Sequence, residues 1–475
     1  PAPTPMNSTL KSMLIAAAAL TSVSAFAQDK ATLDLLVKKG LITAEERAKT
    51  LDEAAKARSA SGVNKVFVKE DATKRLTIGG YFQAQYQNFD YSQASTTSGT
   101  TTNSSAPSQG SFLMRRLYLE ILADVGNGIS GNIVLDTSGN TTSSSTSWLD
   151  RAMVSHASEI GSFDLGYRKV TWGYEESTLT SLFKASSGKL STVERGITNR
   201  YWNEGENGNA LRSDGRRLGF GAHHTGLHYN SVPNPQGFEY GASVVNAAQG
   251  RFTEGTSTKD LAYYANIAWN NKVSDNEAYS VGVNYGNSRY FNSASAVNTL
   301  ASMEGYNPFL MAKYFNWTFQ GEYMSTKVTS SKDAAANFDD KDHTPTGYNA
   351  MVVYKINDNW EGVARFTSLD TDMRGQQIGD GERGFKAAGP SGVGLNYDNS
   401  NALYLGVNYY FNLEALGQQV NGYNAKIQFG FERAEFKDNL TAPANAGVVG
   451  GANVLSSTQV KATVDTLRLQ AQVAF

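Results

Sequence analysis

The chain has 475 residues, of which 40% are hydrophobic and 11% aromatic, with 45 Gly, 24 Tyr, 22 Phe and a formal charge of -2 at pH 7. A mean hydropathy of -0.39 excludes a bundle of membrane helices, and the near-neutral balance offers no basic field for nucleic acid. Zero cysteines leave neither a disulfide framework nor thiol chemistry.

In chain order, the first apolar run is Met13 to Ala27, too short to span a bilayer as a helix. It follows Lys11 and closes on the small-x-small pattern Ala25-Phe26-Ala27, so residues 1–27 are expected to be a secretory signal peptide with Pro1 to Pro5 as an upstream extension. Met6 is the expected start, and Gln28 the first residue of the mature chain. Residues 28–73 predict a short helical segment and linker. Leu33, Leu35, Leu36 and Val37 precede a stop at Gly40, and Thr43-Ala44-Glu45-Glu46 is the capping-box pattern that opens a second helix.

From about Lys74 the hydrophobic period changes from helical to two. Thr77 to Tyr86, Gly347 to Tyr354 and Tyr423 to Glu432 alternate clearly. About sixteen such runs follow one another, near 75–90, 111–125, 128–138, 147–157, 160–171, 216–229, 237–248, 259–270, 277–290, 306–315, 317–328, 344–356, 359–370, 401–412, 422–437 and 461–475. Because side chains alternate along a strand, the last run has a greasy row, Leu467, Leu469, Ala471, Val473 and Phe475, and a wet row, Thr466, Arg468, Gln470 and Gln472. One face suits lipid and the other water.

The connections sort into two classes. Asp124 to Gly128, Glu159 to Gly161, Asn270 to Lys272 and Asn357 to Asn359 are short; Ser92 to Gly110, Trp172 to Gly215, Asn292 to Gly305, Thr371 to Ser400 and Asp438 to Gln459 are long and rich in Ser, Thr, Gly and Asn. Short turns on one rim and long loops on the other are the pattern of outer-membrane barrels. The predicted fold is therefore all-β: a closed antiparallel transmembrane β-barrel of about 16 strands over residues 74–475, with the helical segment on its periplasmic side. Tyr263-Tyr264, Tyr314-Phe315 with Trp317, and Tyr409-Tyr410-Phe411 sit near strand ends and are expected at the lipid headgroup level. The terminal Phe475 resembles the signal by which barrel-assembly machinery recognises such chains.

A sixteen-stranded lumen is wide enough for water, and something must narrow it if solutes are to be selected. The third external loop, 172–215, is the longest connection and is expected to fold inward. It carries Lys184, Lys189, Arg195, Arg200 and Arg212 against Glu175, Glu176, Glu194, Glu204, Glu206 and Asp214. Parity places Glu120, Asp164, Glu322, Glu361 and Glu432 in the lumen with Arg116, Arg365, Lys426 and Arg468.

Arg115 to Glu120, Leu165 to Glu176, Val193-Glu194-Arg195 and Gly215 to Gly219 resemble the phosphate-selective (O and P type) porins of Gram-negative outer membranes. The layout matches over about residues 74–475, the strong motifs only over about 111–220. The resemblance implies a homotrimer of sixteen-stranded channels in which Arg116, Lys169, Arg195, Arg216 and Arg217 guide phosphate-like anions. Acids slightly outnumber bases in the third loop, which points to modest selectivity. The expected activity is passive diffusion of small hydrophilic solutes or inorganic anions through a charged constriction in outer-membrane lipid, with no enzyme, cofactor or metal.

Two other readings stand beside it: a structural or adhesive barrel with a plugged lumen, suggested by the Ser/Thr-rich loops, and an outer-membrane enzyme, which would need His223 or His224 to face a serine. His223, His224 and His228 lack the spacing of a metal site, and Asp339-Asp340-Lys341-Asp342 lacks the glycine and closing glutamate of a calcium loop.

Overall fold

A computed structural model describes residues 37–40, 43, 45–47, 66–71, 74–97, 100–138, 149–179, 190–203, 220–221, 223–247, 261–292, 299–330, 342–372, 376, 378, 385, 397–411, 425–437, 448–449, 452–453 and 458–474. The expected signal peptide lies outside them. So does most of the expected helical segment, but its capping box is formed: the Thr43 N–H donates to a Glu46 carboxylate oxygen at 2.8 Å, and the Glu46 N–H to the Thr43 hydroxyl at 3.0 Å. Gly40 takes a φ of 68° at the preceding stop.

The barrel strands are β1 (Lys74–Thr97), β2 (Thr100–Gly126), β3 (Ile129–Asp136), β4 (Leu149–Ser158), β5 (Gly161–Lys169), β6 (His223–Ser231), β7 (Phe238–Asn246) and β8 (Leu261–Lys272). They continue as β9 (Glu277–Asn292), β10 (Thr299–Tyr314), β11 (Trp317–Ser330), β12 (Thr346–Lys355), β13 (Trp360–Asp370), β14 (Asn399–Tyr410), β15 (Ala425–Lys437) and β16 (Thr458–Ala474). Each pairs antiparallel with its neighbour in sequence, and β16 pairs with β1 from Thr458↔Thr97 to Ala474↔Tyr81, closing the sheet. Closure satisfies the backbone donors and acceptors that a bilayer cannot. Among the described residues no helix is long and apolar enough to cross a membrane; strands make the crossing. A further short strand, Val66–Asp71, pairs with the start of β1 on the edge that β16 leaves free.

The alternation predicted for the last strand holds. Leu469 and Val473 are 44% and 40% exposed, while Arg468, Gln470 and Gln472 are buried inside. All nine parity-assigned lumen charges, from Glu120 to Arg468, are likewise buried. Toward the outer rim the pattern inverts. Beyond Leu467 and Phe431 the outward positions become Asp465, Arg433, Glu435 and Lys461, joined as Arg433–Asp465 (3.6 Å) and Lys461–Glu435 (3.0 Å). The inward positions there become Val464, Ala462, Ala434 and Phe436. The inversion marks the outer limit of the lipid belt, which from Leu467 to Val473 runs roughly 20 Å along the strand at about 3.3 Å per residue.

Several boundaries differ from expectation. The stretch Ser92 to Gly110 is not a loop but the upper part of the β1–β2 hairpin, paired up to Thr97↔Thr100, and β9 ends at the expected Asn292 while β10 begins at Thr299, inside the expected loop. Thr- and Ser-rich sequence continues a ladder once register is fixed below it. Strand β6 is described from His223, after a turn at 220–221, with 216–219 of the expected strand outside the described residues, and Asn270 to Lys272 belongs to β8, whose turn follows at 273–276. Tyr263, Tyr314 and Trp317 face outward as girdle residues, but Tyr264 and Tyr410, one position on from an outward ring, are buried inside. Successive residues of a regular strand point to opposite faces. The tight turn after β2 uses three successive positive φ angles at Gly126, Asn127 and Gly128. An added Cβ at Gly128 would meet the Ala157 carbonyl oxygen at 2.3 Å.

Candidate functional site

The third external loop leaves β5, forms α1 (Tyr174–Leu179), and returns as residues 190–196 and α2 (Ile197–Asn203). It folds into the barrel, where its backbone is held by the wall. Lys426 and Gln428 donate to the Leu190 carbonyl at 2.8 and 2.9 Å, and Asn408 to the Ser191 carbonyl at 2.8 Å. The Val193 N–H donates to the Tyr404 hydroxyl at 3.1 Å. At the other end, the Gly173 N–H donates to Asn307 (3.0 Å), the Tyr174 N–H to Glu322 (2.7 Å) and the Trp202 indole N–H to the Thr326 hydroxyl (2.7 Å). The loop is thus fixed to β10, β11, β14 and β15.

Two bare patches on the inner wall make room for it. Tyr404 lies over Gly406 and Gly430, where an added Cβ would come within 2.6 and 2.3 Å of its hydroxyl oxygen, and Gly347 faces α2, where a Cβ would meet the Thr198 methyl at 2.6 Å. Above, Trp172, Ile197, Tyr201, Trp202 and Phe220 of the loop pack with Phe89, Tyr264, Met303, Met324, Phe436 and Val464 of the wall in one apolar cluster. This cluster explains why the inward positions turn apolar at the outer rim.

Charge fixes the loop a second time. The Arg365 guanidinium donates to Glu175 (2.7 Å), to the Glu194 carbonyl (2.7 Å), to the Thr192 hydroxyl (3.0 Å) and to Glu432 (2.7 Å). Arg115 forks onto Glu194, with its Nη2 donating at 2.9 Å, and Arg200 lies 3.3 Å from the same carboxylate. Glu176 is paired with both Lys169 and Arg195. Burial pushes the Glu176 carboxyl up, but Arg195 and Lys169 outweigh it and hold the group down at about 2. Glu194 is likewise penalised by burial and held well below the carboxylate range by Arg115 and Arg200. Such pairs repay their desolvation only when geometry is fixed, so they specify position more than they add stability.

The rest of the lumen wall is not covered alike. The inward side chains of β12–β16 and β1 are buried with few exceptions, whereas Tyr118, Asp136, Asp150, Arg151, Arg168, Lys169 and His223, on β2 to β6, keep partial solvent exposure. Among the described residues the accessible charged surface therefore lies on the β2–β6 side, facing the loop. The imidazole Nε2 of His223 is 3.2 Å from Asp150, whose other close neighbour is the Tyr118 hydroxyl at 3.4 Å. A register break between Val134 and Leu135 brings Asp150 to this face beside Arg151.

Of the residues singled out from sequence, Arg116 is buried and donates to Gln83 at 2.7 Å, Lys169 is partly exposed, and Arg195 and Arg200 are buried in the ion pairs above. Lys184, Lys189, Arg212, Arg216, Arg217 and Phe475 lie outside the described residues. Sequence reasoning missed the anchoring role of Arg365, Glu322 and Tyr404; parity put the first two in the lumen, but nothing local names a partner more than a hundred residues away. It weighed His223 only as a metal ligand or a catalytic histidine, and did not single out Asp150. His224 Nδ1 meets the Asn246 carbonyl at 2.8 Å, and His228 Nδ1 meets the Ser243 hydroxyl at 2.9 Å inside the wall. Among the described residues no three His, Cys, Asp or Glu side chains are grouped to hold a metal.

No known family profile and no curated protein matches the chain. Solved structures similar to it include OmpT, an outer membrane protein of Vibrio cholerae, 11% identical over 86% of this chain and 99% of that one, with a TM-score of 0.47. An anion-selective porin from Comamonas acidovorans is 15% identical over 85% of this chain and 100% of its own, with a TM-score of 0.47. The outer membrane channel DcaP of Acinetobacter baumannii is 11% identical over 86% and 99%, with a TM-score of 0.46. The functional reading accordingly rests on the geometry of the barrel and its inward loop.

Proposed function

We propose that this chain is a porin of the Gram-negative outer membrane through which small hydrophilic solutes diffuse passively, with a mild preference for anions. The observation that carries the reading is the third loop pinned inside a closed barrel, leaving the partly exposed charges of β2 to β6 as the surface a solute would pass. No covalent step is involved. Water fills the passage, its width excludes large solutes, and opposed charges orient small ones. Lys169, Arg168 and Arg151 would attract anions, Asp136 and Asp150 would moderate that attraction, and Arg116, Arg195 and Arg200 would hold the loop and the field around it. Lys184, Lys189 and Arg212, as basic residues of the third loop, and Arg216 and Arg217, as the sequence resemblance implies, are proposed to add positive charge along the same route. Phosphate preference and a homotrimer rest on that resemblance alone, and delivery by the barrel-assembly machinery rests on the likeness of the terminal Phe475 to its recognition signal.

The apolar cluster of loop and wall at the outer half of the lumen favours a second reading, a structural barrel whose lumen is plugged. Planar-bilayer recording decides between them. Stepwise ion conductance is expected from the purified protein; absence of conductance would overturn the porin reading in favour of the plugged barrel. Under a salt gradient, the reversal potential is expected to show modest anion preference, reduced when Lys169 and Arg151 are made neutral.

A further inference from the structure

The contact between His223 and Asp150 uses groups that the loop anchoring does not need. His223 opens β6 opposite Lys169 in register, and its ring stacks on Tyr167 with centroids 5.3 Å apart. Both partners keep a share of solvent, with side-chain exposures of 20% for His223 and 14% for Asp150. They therefore stand on the side of the lumen where charges remain accessible. We propose that His223 and Asp150 form a proton-operated selectivity element of the passage, which becomes more favourable to anions when His223 is protonated. The inference rests on the porin reading.

The charges around the pair are on every neighbouring element. Asp150 and Arg151 come from β4, Arg168 and Lys169 from β5, Asp136 from β3, Arg116, Tyr118 and Glu120 from β2, Tyr81 from β1, and Glu176 and Arg195 from the loop. Between about pH 5 and pH 8 exposed carboxylates ordinarily stay ionised and lysine, arginine and tyrosine ordinarily stay protonated, whereas an imidazole changes charge within that interval. With His223 neutral, the Asp150 carboxylate keeps its negative charge in the passage, set against Arg151 and Lys169. With His223 protonated, that charge is cancelled. Protonation of the imidazole makes the site one charge more positive, and any proton taken up by the buried Glu120 carboxyl acts in the same direction.

The test is the reversal potential of the full-length protein in a planar bilayer under a potassium chloride gradient, at about pH 8 and about pH 5. The anion-to-cation permeability ratio is expected to rise about two- to threefold on acidification. His223→Asn and His223→Gln are each expected to flatten this dependence, and Asp150→Asn to raise anion preference at the higher pH. His156→Asn, at an exposed strand end, is expected to leave it intact. Conductance with a pH-independent ratio would overturn the inference while leaving the porin reading standing, as would a pH dependence that survives in both His223 variants. Absence of conductance would overturn both.

Discussion

Arg365 on β13 and Glu175 in the third loop meet at 2.7 Å with the guanidinium and the carboxylate both buried. The same guanidinium reaches Glu432 and two further loop oxygens, so one side chain joins the loop to β15 and its own strand. Replacing it removes the cation shared by two buried carboxylates, leaving Glu175 to the Gly196 N–H and Asn199 and Glu432 to Arg468. For Arg365→Ala we expect a loss of about 3–5 kcal/mol in the anchoring of the loop, seen as a lower unfolding midpoint and a larger, noisier single-channel conductance. An unchanged conductance would show that the loop is held without this residue.

Gly430 and Tyr404 make a second expectation. A Cβ at position 430 would stand 2.3 Å from the Tyr404 hydroxyl oxygen, so Gly430→Val must push the ring away from the wall and break its bond to the Val193 N–H. Overpacking of this kind costs about 1–3 kcal/mol. Protease cleavage within the loop should accelerate, while Tyr404→Phe, which keeps the ring and removes only the hydroxyl, should have the smaller effect. Equal protection of wild type and Gly430→Val would contradict the packing described.

The Glu176 carboxylate sets a pH window. Its folded value, about 2, lies below its ordinary 4.5, so the stabilisation it provides is present above about 4.5 and is lost as the pH falls toward about 2. The loop is therefore expected to stay anchored from neutral pH to about 5 and to loosen below about 4. Conductance recorded down the acid range checks this. Glu176→Gln should resemble the acid state at neutral pH; a flat acid profile would remove Glu176 from the anchoring.

Leu469 lies midway along the outward row of β16, and Arg468 beside it faces the interior. Leu469→Arg should cost about 2–4 kcal/mol in lipid, whereas Ser or Thr at outward positions beyond Asp465 should cost little. Refolding into vesicles at graded urea measures the difference. A near-neutral Leu469→Arg would place the belt elsewhere.

The strand row at the carboxyl end and the even count of alternating runs were legible in the sequence, because period-two patterning is a local property and bilayer and lumen demand opposite faces, whereas the connections were legible only in part. The capping box at Thr43 and Glu46 was legible for the same reason: its partners are three residues apart. Parity likewise named Glu322, Arg365 and Glu432 as inward. What the chain by itself could not decide was which inward charges meet. Glu175 finds Arg365, Glu194 finds Arg115 and Lys426 finds the Leu190 carbonyl only after closure brings separate strands around one loop. The length of the β1–β2 hairpin and the faces of Asp150 and Tyr264 were settled the same way, by register inherited from neighbouring strands. Alternation is written residue by residue; pairing across a lumen depends on curvature and closure, which no short stretch of sequence contains.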